Sequence, residues 1–230
     1  SRMFWNRVYT GLLYYLVPYM IMEFFAVCIG AAKGFFSLKL MELAARLLLV
    51  HLLLYFLFYF SIVLVFCVTG NFLMGVLCLA GMQLYGPALG ILMSFCAYGF
   101  FDTFSSNYPY GIFKALEDYA SPITLTAAFW QKYEAGQGAA LAAVLFVLTL
   151  IFTAVSYFAY IHRPSEAAGK PMVYGKLAAV IKFMVVVPCG MGTGFVFYLI
   201  PTSHARNIWC VFGMILGTVL AHGMIEALYQ

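Results

Sequence analysis

Six long apolar runs divide this sequence and restrict its fold more than any other feature does. The runs cover residues 8–32, 43–68, 71–101, 139–161, 177–200 and 208–228. An α-helix needs about 20 predominantly apolar residues to cross the hydrocarbon core of a bilayer, and each run provides them. Each run is apolar on nearly all sides and lacks the polar–apolar alternation of an outer-membrane strand. The sequence therefore predicts an all-α fold, a polytopic transmembrane helix bundle of about six spans.

The composition excludes the soluble classes of protein. Hydrophobic residues make up 65% of the chain and charged residues 9%, whereas soluble domains average about 45–50% apolar and about 25% charged residues. A chain of 230 residues cannot hide that much apolar surface from water, so we predict an integral membrane protein. The net charge of +4 is small and spread over several loops, which argues against nucleic acid as a partner.

The six cysteines all lie within the apolar runs, and none of them forms a C-x-x-C pair. This placement favours reduced thiols that pack as small apolar side chains, and no metal site is predicted. The cysteines are Cys28, Cys67, Cys78, Cys96, Cys189 and Cys210.

Residues 102–137 form the longest segment outside the predicted spans. Within it, the sequence YGIFKALEDY at 110–119 places Ile112, Phe113 and Leu116 at helical spacing. Two interpretations stay open, a short helix lying at the membrane surface and an ordinary loop helix packed on the bundle. We expect all 230 residues to form a single transmembrane domain with this segment as an extracytoplasmic loop. The chain itself is expected to be part of a longer protein.

The charge of the connecting segments leaves the orientation of the bundle open. Six Lys and Arg residues fall on each side of the membrane when the predicted spans alternate, so the positive-inside rule gives no preference. Acidic residues concentrate on the side opposite the N-terminus, which favours a cytoplasmic N-terminus, but acidic residues contribute little to orientation.

Three pairs of glycines have the G-x-x-x-G spacing inside predicted spans. Small residues at this spacing let two helix backbones approach closely in lipid, where helices gain little from hydrophobic association. We therefore predict that these glycines pack helices against one another. The pairs are Gly86 and Gly90, Gly190 and Gly194, and Gly213 and Gly217.

Six His, Lys, Arg or Glu residues lie inside predicted spans, where a charged side chain costs about 2.5–3.5 kcal/mol at the bilayer centre. Two of them, Arg46 and Lys182, are near span ends, where long side chains extend to the membrane surface. Glu23 is the best candidate for a functional intramembrane group, and a helix–helix hydrogen bond, to His51 or to a tyrosine, is the competing explanation. His222 and Glu226 are four residues apart and share one helix face. They form either a satisfied pair near the membrane surface or part of a metal or proton-relay site, for which no further ligand motif is visible.

The sequence HRPSEAAGKP at 162–171 is the most polar stretch in the second half of the chain. Its Gly-Lys pair ends many phosphate-binding loops, but those loops need a following Ser or Thr and several converging N–H groups. Pro171 has no hydroxyl and Pro164 has no N–H, so nucleotide binding is excluded. A cap at Ser165 and a stop at Gly169 predict a compact charged turn, and a merely solvated turn is the alternative. Because no catalytic motif occurs, the chain is not predicted to be an enzyme.

Four stretches together resemble a bacterial branch of the ABC-2-type transporter permeases, over nearly the whole chain. They are SRMFWNRVYTGLLYYLVPYM at 1–20, VTGNFLMGVLCLAGMQLYGPAL at 68–89, RPSEAAGKPM at 163–172 and HGMIEALY at 222–229. The resemblance implies one half of an all-α permease in the bacterial cell membrane, with the N-terminus of this chain in the cytoplasm. Of the cytoplasmic segment that precedes the first span in that family, only residues 1–4 are present here.

The same resemblance implies partners and a mechanism. Such a permease pairs with a second permease, identical or different, and with separate ABC ATPase subunits that bind ATP and Mg²⁺, while this chain is expected to bind no cofactor. It is expected to move a lipid, peptide or drug-like substrate, as an exporter, by alternating access. Two segments are predicted to contact the ATPase and transmit its movement. Their residues are Met3, Phe4 and Arg7 in the first segment, and Arg163, Glu166 and Lys170 in the second.

Two alternative functions remain open at this stage. One is a secondary transporter or channel that uses Glu23 as an intramembrane proton or ion site, although no inverted repeat is apparent. The other is a membrane sensor or scaffold that binds its ligand through residues 102–137 and transports nothing.

Overall fold

A computed structural model of the chain describes residues 2–34, 37–101, 111–163, 173–201 and 205–229. The elements within these ranges are α-helices, and six of them are long and apolar enough to span a membrane. The predicted all-α polytopic bundle of about six spans is therefore confirmed. The helices are α1 (Arg2–Ala32), α2 (Leu38–Val68), α3 (Phe72–Phe100), α4 (Gly111–Tyr119), α5 (Pro122–Glu134), α6 (Ala139–Ile161), α7 (Gly175–Leu199) and α8 (Arg206–Tyr229).

Polar side chains cap the starts of two spans. The Ser37 Oγ accepts a hydrogen bond from the Leu40 amide at 3.3 Å at the start of α2. The Asn71 Oδ1 accepts one from the Leu73 amide at 3.1 Å at the start of α3. Such caps satisfy amide groups that the first turn of a helix leaves without an internal partner. The Asn71 cap fixes the tight connection between α2 and α3. The Ser37 cap starts α2 a few residues before its apolar run.

The six spans run alternately in opposite directions between two ends of the bundle. One end, called the Phe4 end, holds the starts of α1, α3 and α7 and the last turns of α2, α6 and α8. A backbone hydrogen bond of 2.9 Å from Val173 to Val68 joins the chain before α7 to the end of α2. The Ser156 hydroxyl donates to the Phe60 carbonyl at 3.0 Å and holds α6 beside α2. The opposite end is called the far end.

Two groups of spans carry most of the packing. α7 and α8 form an antiparallel pair in which α7 also packs on α3, while α2 and α6 pack along each other. A core lies between α2, α5 and α6. It consists of Leu54, Leu57, Leu125, Phe129 and Leu145. Large apolar side chains cover the outward faces of the spans and stay exposed, as lipid contact requires.

α4 and α5 form a hairpin that enters the bundle from the far end and turns back at Ala120 and Ser121. Gly86 lies midway along α3, and a Cβ added there would lie 2.6 Å from the Ala120 Cβ. One turn nearer the far end, a Cβ added at Gly90 would lie 2.9 Å from the Phe113 carbonyl oxygen. The turn of the hairpin is therefore level with the centre of α3.

The hairpin differs from what the sequence predicts for the segment between α3 and α6. The short helix predicted at 110–119 corresponds to α4, which packs on the middle of a span instead of lying at the membrane surface. The second helix, α5, was not predicted. Non-spanning backbone at this depth is tolerated where protein buries it. The turn is buried in this way, because Ser121 is only 2% exposed. The Ser121 Oγ also accepts a hydrogen bond from the Thr124 amide at 3.3 Å.

Candidate functional site

A cleft of about 240 Å³ opens at the Phe4 end between α1, α2 and α6. Phe4 lines this cleft, with only 2% of its surface exposed and its ring centroid 5.5 Å from that of Tyr157 in an edge-on contact. Val8 and Phe60 pack with Phe4 in one buried cluster. Aromatic packing therefore anchors the start of α1 on α2 and α6.

Two arginines line this otherwise largely apolar cleft. Arg163 follows α6, and its guanidinium donates to the Phe66 carbonyl at 2.9 Å and to the Thr69 carbonyl at 3.3 Å. These carbonyls belong to the end of α2, where a cation stabilises the helix terminus. Arg7 lies across the cleft on α1. Its backbone carbonyl accepts a hydrogen bond of 3.3 Å from the Tyr59 hydroxyl. The cleft thus offers guanidinium groups from two segments that are far apart in sequence.

The structure brings the two predicted coupling segments together. Three of their residues line the cleft, namely Phe4, Arg7 and Arg163. Met3 is beside them in sequence and is 66% exposed. Glu166 and Lys170 lie outside the described residues. Although most of the chain separates the two segments, their described residues share one end of the bundle.

A row of tyrosines runs along the contact between α1 and α2, from the cleft toward the far end. The Tyr15 and Tyr55 rings stack across the two helices with centroids 4.2 Å apart. Tyr15 also stacks on Tyr19 one turn along α1, and Tyr55 stacks on Tyr59 one turn along α2. We call these four tyrosines, together with His51, the tyrosine seam.

His51 ends the tyrosine seam through two contacts at its Nδ1. This atom lies 2.8 Å from the Leu47 carbonyl oxygen and 3.2 Å from the Tyr19 hydroxyl. A carbonyl oxygen only accepts, so the contact with Leu47 is a hydrogen bond when Nδ1 carries the proton. Trp130 of α5 packs beside the imidazole, with ring centroids 5.5 Å apart. The re-entrant hairpin thereby touches the seam.

Glu23 extends the polar face of the tyrosine seam by one more turn of α1. It follows Tyr19 by four residues and is half-buried. The sequence allowed a hydrogen bond between Glu23 and His51. Within the described part of the chain, His51 bonds Tyr19 and Leu47 and not Glu23. Glu23 is therefore a neighbour of the seam and not the partner of its histidine.

Glu226 pairs with a lysine of the neighbouring helix. The Lys182 ammonium of α7 forms a salt bridge with the Glu226 carboxylate of α8. His222, which the sequence places on the same face one turn earlier on α8, is exposed. The antiparallel register of α7 and α8 places an opposite charge within reach, which offsets the cost of a carboxylate inside a span.

The six glycines predicted to pack helices lie at close helix contacts. Gly90 contacts the short helix α4, Gly86 contacts the turn that follows it, and the other four lie between α7 and α8. A Cβ added at Gly213 would lie 2.7 Å from the Phe197 Cβ, and one added at Gly217 would overlap the Thr193 side chain. The Thr193 hydroxyl also donates to the Gly213 carbonyl at 2.9 Å. The absence of side chains at these positions lets α7 and α8 approach closely.

The chemistry available at the Phe4 end and along the seam is that of binding groups. In the ranges that the structure describes, no group of three or more His, Cys, Asp and Glu side chains is placed to hold a metal ion. The cleft offers guanidinium and aromatic groups, which bind acidic or amphipathic surfaces. The seam offers hydroxyl groups and one imidazole, which hydrogen bond and exchange protons.

The tyrosine seam was not predicted, although the sequence carries its signal. Positions 15, 19 and 23 on α1, and positions 51, 55 and 59 on α2, are spaced by four residues, which puts each set on one helix face. Tyrosine is common near the membrane surfaces of spans for other reasons. The spacing alone therefore does not reveal that the two faces meet.

Comparison with known proteins finds no protein-family model, no curated protein and no solved structure that matches the chain. The resemblance to ABC-2-type permeases therefore rests on the sequence stretches that carry it, and the functional argument rests on the geometry of the chain itself.

Proposed function

We propose that the chain is a membrane-spanning permease subunit of an ATP-binding-cassette transporter, as its resemblance to ABC-2-type permeases implies. The observation that carries the proposal is the cleft at the Phe4 end, where residues of two distant predicted coupling segments lie side by side. In a transporter of this kind, separate ATPase subunits act on the cytoplasmic end of the permease. The Phe4 end would then face the cytoplasm of a bacterial cell.

The chemistry of the cleft suits an acidic partner surface. Arg7 and Arg163 provide guanidinium groups, which bind carboxylates in a bidentate geometry, and Phe4 provides an aromatic wall. An ATPase surface bound here would act on α1 and α6 together. Arg163 also hydrogen bonds to carbonyls at the end of α2. A movement of Arg163 caused by the ATPase would therefore also move α2.

α1 is the span best suited to move during transport. Its buried side chains are Phe4 and Val8, near its start, while large side chains farther along, such as Tyr14 and Met22, are 79% and 73% exposed. Elements with few packed contacts move at the lowest cost in free energy. A rotation of α1 about its Phe4 anchor is therefore the proposed step between inward-facing and outward-facing states.

The side chains that line a second cleft indicate an apolar or amphipathic substrate. This cleft has a volume of about 810 Å³ and lies between α1, α2 and α6. Apolar side chains such as Leu53, Phe56 and Phe146 line it, with Thr149 and Thr153 as polar groups. Sites of this size with few polar groups take drug-sized molecules. A lipid, peptide or drug-like substrate fits these properties.

Co-purification tests the proposal directly. The tagged chain, isolated from its native membranes, is expected to bring an ATPase subunit with it, and the assembled complex is expected to show substrate-stimulated ATP hydrolysis. Arg163→Glu and Glu166→Arg are each expected to lower that stimulation. Glu42→Lys, a charge reversal on the exposed start of α2, is the matched control and leaves it unchanged. Unchanged hydrolysis in both test variants removes this end from the mechanism, and the lack of any ATPase partner refutes the proposal.

One observation favours a second candidate function, a secondary transporter or channel with Glu23 as its proton or ion site. The Tyr19 hydroxyl contacts His51, one turn from Glu23, so two ionisable groups and a hydroxyl lie along one helix contact. Intramembrane groups of this kind often mark proton pathways. Transport by the reconstituted chain with an ion gradient and without ATP would favour this function over the first.

A further inference from the structure

Three charged side chains of α4, the first helix of the re-entrant hairpin, lie close together. The Lys114 ammonium is 3.1 Å from a carboxylate oxygen of Asp118 and 3.5 Å from one of Glu117. Among the described residues, the side chains of Lys114, Glu117 and Asp118 are 53%, 37% and 35% exposed. We call these three residues the α4 ion cluster. Its charges pair with one another and yet keep about a third or more of each side chain uncovered.

Contacts with α3 give the depth of the α4 ion cluster. Gly86 is the midpoint of α3 and contacts Ala120 in the hairpin turn. Gly90, one turn nearer the far end, contacts the backbone of Glu117. Glu117 is therefore about 6 Å from the midpoint of this 29-residue span, whereas hydrocarbon extends about 15 Å from the centre of a bilayer. The cluster lies at the depth of the hydrocarbon core.

The span α6 gives the same depth independently. α5 and α6 are joined at the far end by residues 135–138, and α5 covers 13 residues, about 20 Å, between the hairpin turn and this connection. Half of the 23-residue span α6 is about 17 Å. The turn is thus level with the middle of two different spans, and Asp118, three residues before Ser121, lies about 5 Å from it.

Hydrocarbon does not suit the α4 ion cluster, and the cluster does not need a charged partner. Charged side chains inside a membrane are costly in contact with lipid, and they face protein or a water-filled cavity. Lys114 already pairs with both carboxylates. Lys132 of α5 brings a second positive charge to the end of α4, where its ammonium lies 5.6 Å from the centroid of the Tyr119 ring. The charges balance within the hairpin, and their exposed atoms still require hydration.

We infer that the α4 ion cluster lines a water-filled vestibule that opens at the far end and ends at the hairpin turn. Water in this vestibule hydrates the cluster on the side of α4 that faces away from α3. The turn closes the vestibule at mid-depth, because Ser121 is buried and Ala120 contacts Gly86. The vestibule gives small hydrophilic molecules and ions a path from the far side of the membrane to the centre of the bundle. The inference rests on the hairpin and does not depend on the proposed transport function.

Reaction of an introduced cysteine with a water-soluble reagent tests the inference. Ala115 is exposed, follows Lys114 and precedes Asp118 by three residues. Ala115→Cys therefore places a small thiol on the same face of α4 and keeps all three charges. Val147→Cys is the matched control, because Val147 is 54% exposed on the apolar span α6. The two positions are about 11 Å and about 12 Å from the far end.

Both variants are placed in phospholipid nanodiscs and treated with a cationic methanethiosulfonate. Peptide mapping by mass spectrometry follows each introduced thiol separately from the six native cysteines. Ala115→Cys is expected to react roughly 100-fold faster than Val147→Cys, because the reactive thiolate forms in water and not in hydrocarbon. A deeper pair, Asp118→Cys on α4 and Ile151→Cys on α6, is expected to show the same order of rates, since Ile151 is also half-exposed on its span.

Sealed vesicles of one orientation test where the vestibule opens. With the reagent outside, Glu134→Cys reports the far end and Met3→Cys reports the Phe4 end, since both residues are exposed. Ala115→Cys is expected to react in vesicles in which Glu134→Cys reacts, and not in those in which only Met3→Cys does. Two results overturn the inference. One is an equal rate for Ala115→Cys and Val147→Cys, as when lipid or another polypeptide covers α4, and the other is reaction of Ala115→Cys from the Phe4 end.

Discussion

A Cβ atom added at Gly90 would lie 2.8 Å from the backbone nitrogen of Glu117, so α3 and α4 touch backbone to backbone. α4 has no room to withdraw, because the turn that follows it is buried and α5 packs on α2 and α6. This contact fixes how deeply the hairpin enters the bundle. It also places Trp130 of α5 against His51 of the seam.

We predict that Gly90→Ala lowers the thermal stability of the bundle. The added methyl group must displace the α4 backbone, and overpacking of this kind costs about 1–3 kcal/mol. Gly99→Ala is the matched control, because its Cβ would lie 3.7 Å from a Tyr198 ring carbon, which is an ordinary contact distance. Helix propensity favours Ala over Gly, so the control is expected to be neutral or stabilising. Apparent melting temperatures in detergent compare the two, and equal values would contradict the close contact.

The contacts of the hairpin could be predicted from the sequence only in part. The spacing of Gly86 and Gly90 predicts a close helix contact, but it does not identify the helix that approaches. α4 also has only nine residues, and its partner glycines lie before it on a span. The apolar side chains of α5 face a core made by α2 and α6, which a local pattern does not contain. The spans, in contrast, follow from local composition, because lipid requires it of every turn.

We predict strong coupling between Gly217 and Thr193 across α7 and α8. Gly217→Ala alone is expected to destabilise the pair, because the Thr193 side chain occupies the space of the new methyl group. Thr193→Gly removes that side chain and its hydrogen bond to the Gly213 carbonyl. The double variant is therefore expected to be more stable than the sum of the single effects predicts, by about 0.5–3 kcal/mol.

A double-mutant cycle in detergent measures this coupling. Gly223→Ala combined with Thr193→Gly serves as the control cycle, because the Cβ at Gly223 faces open space among the described residues and Gly223 lies six residues beyond Gly217, about 9 Å further along α8. That pair is expected to be additive within about 0.5 kcal/mol. Additive effects in the first cycle would mean that α7 and α8 do not share this register.

We predict that Arg163 acts through the geometry of its guanidinium and not only through its charge. Its two terminal nitrogens reach two carbonyls at the end of α2, and a lysine ammonium cannot copy this fork. Arg163→Lys is expected to lower apparent stability by about 1 kcal/mol, since each hydrogen bond contributes about that much. Arg7→Lys is the comparison, because the Arg7 contact with Tyr59 uses the backbone carbonyl and survives the change. Melting temperatures of the two variants are compared in the same detergent. Equal values would contradict a stabilising role for the two guanidinium hydrogen bonds of Arg163.

The charged residues of the spans were found by sequence, but their partners were not. The i,i+4 spacing of His222 and Glu226 suggested a pair within α8. The actual partner, Lys182, is 44 residues away, and only the antiparallel register of α7 and α8 brings it close. That register depends on which side chains fill the glycine gaps between the two helices. No property of residues 222–226 alone determines it.

The last prediction separates the two candidate functions at the tyrosine seam. Tyr19→Phe removes one hydroxyl and keeps the ring that stacks on Tyr15, so the packing of α1 on α2 is expected to survive. If the chain is driven by a partner ATPase, transport that depends on ATP is expected to stay within about twofold of wild type. If protons pass along the seam, gradient-driven uptake instead falls, because His51 loses the hydroxyl next to its Nδ1.

Tyr14→Phe is the matched control for this experiment, because Tyr14 is 79% exposed on α1, lies outside the seam and does not line the proposed substrate cleft. Uptake into proteoliposomes is measured for wild type and both variants, with ATP alone and with a proton gradient alone. A loss of gradient-driven uptake confined to Tyr19→Phe would favour the secondary transporter. Full ATP-driven uptake in both variants would instead restrict the role of the seam to holding α1 against α2, which is what its stacked rings already do.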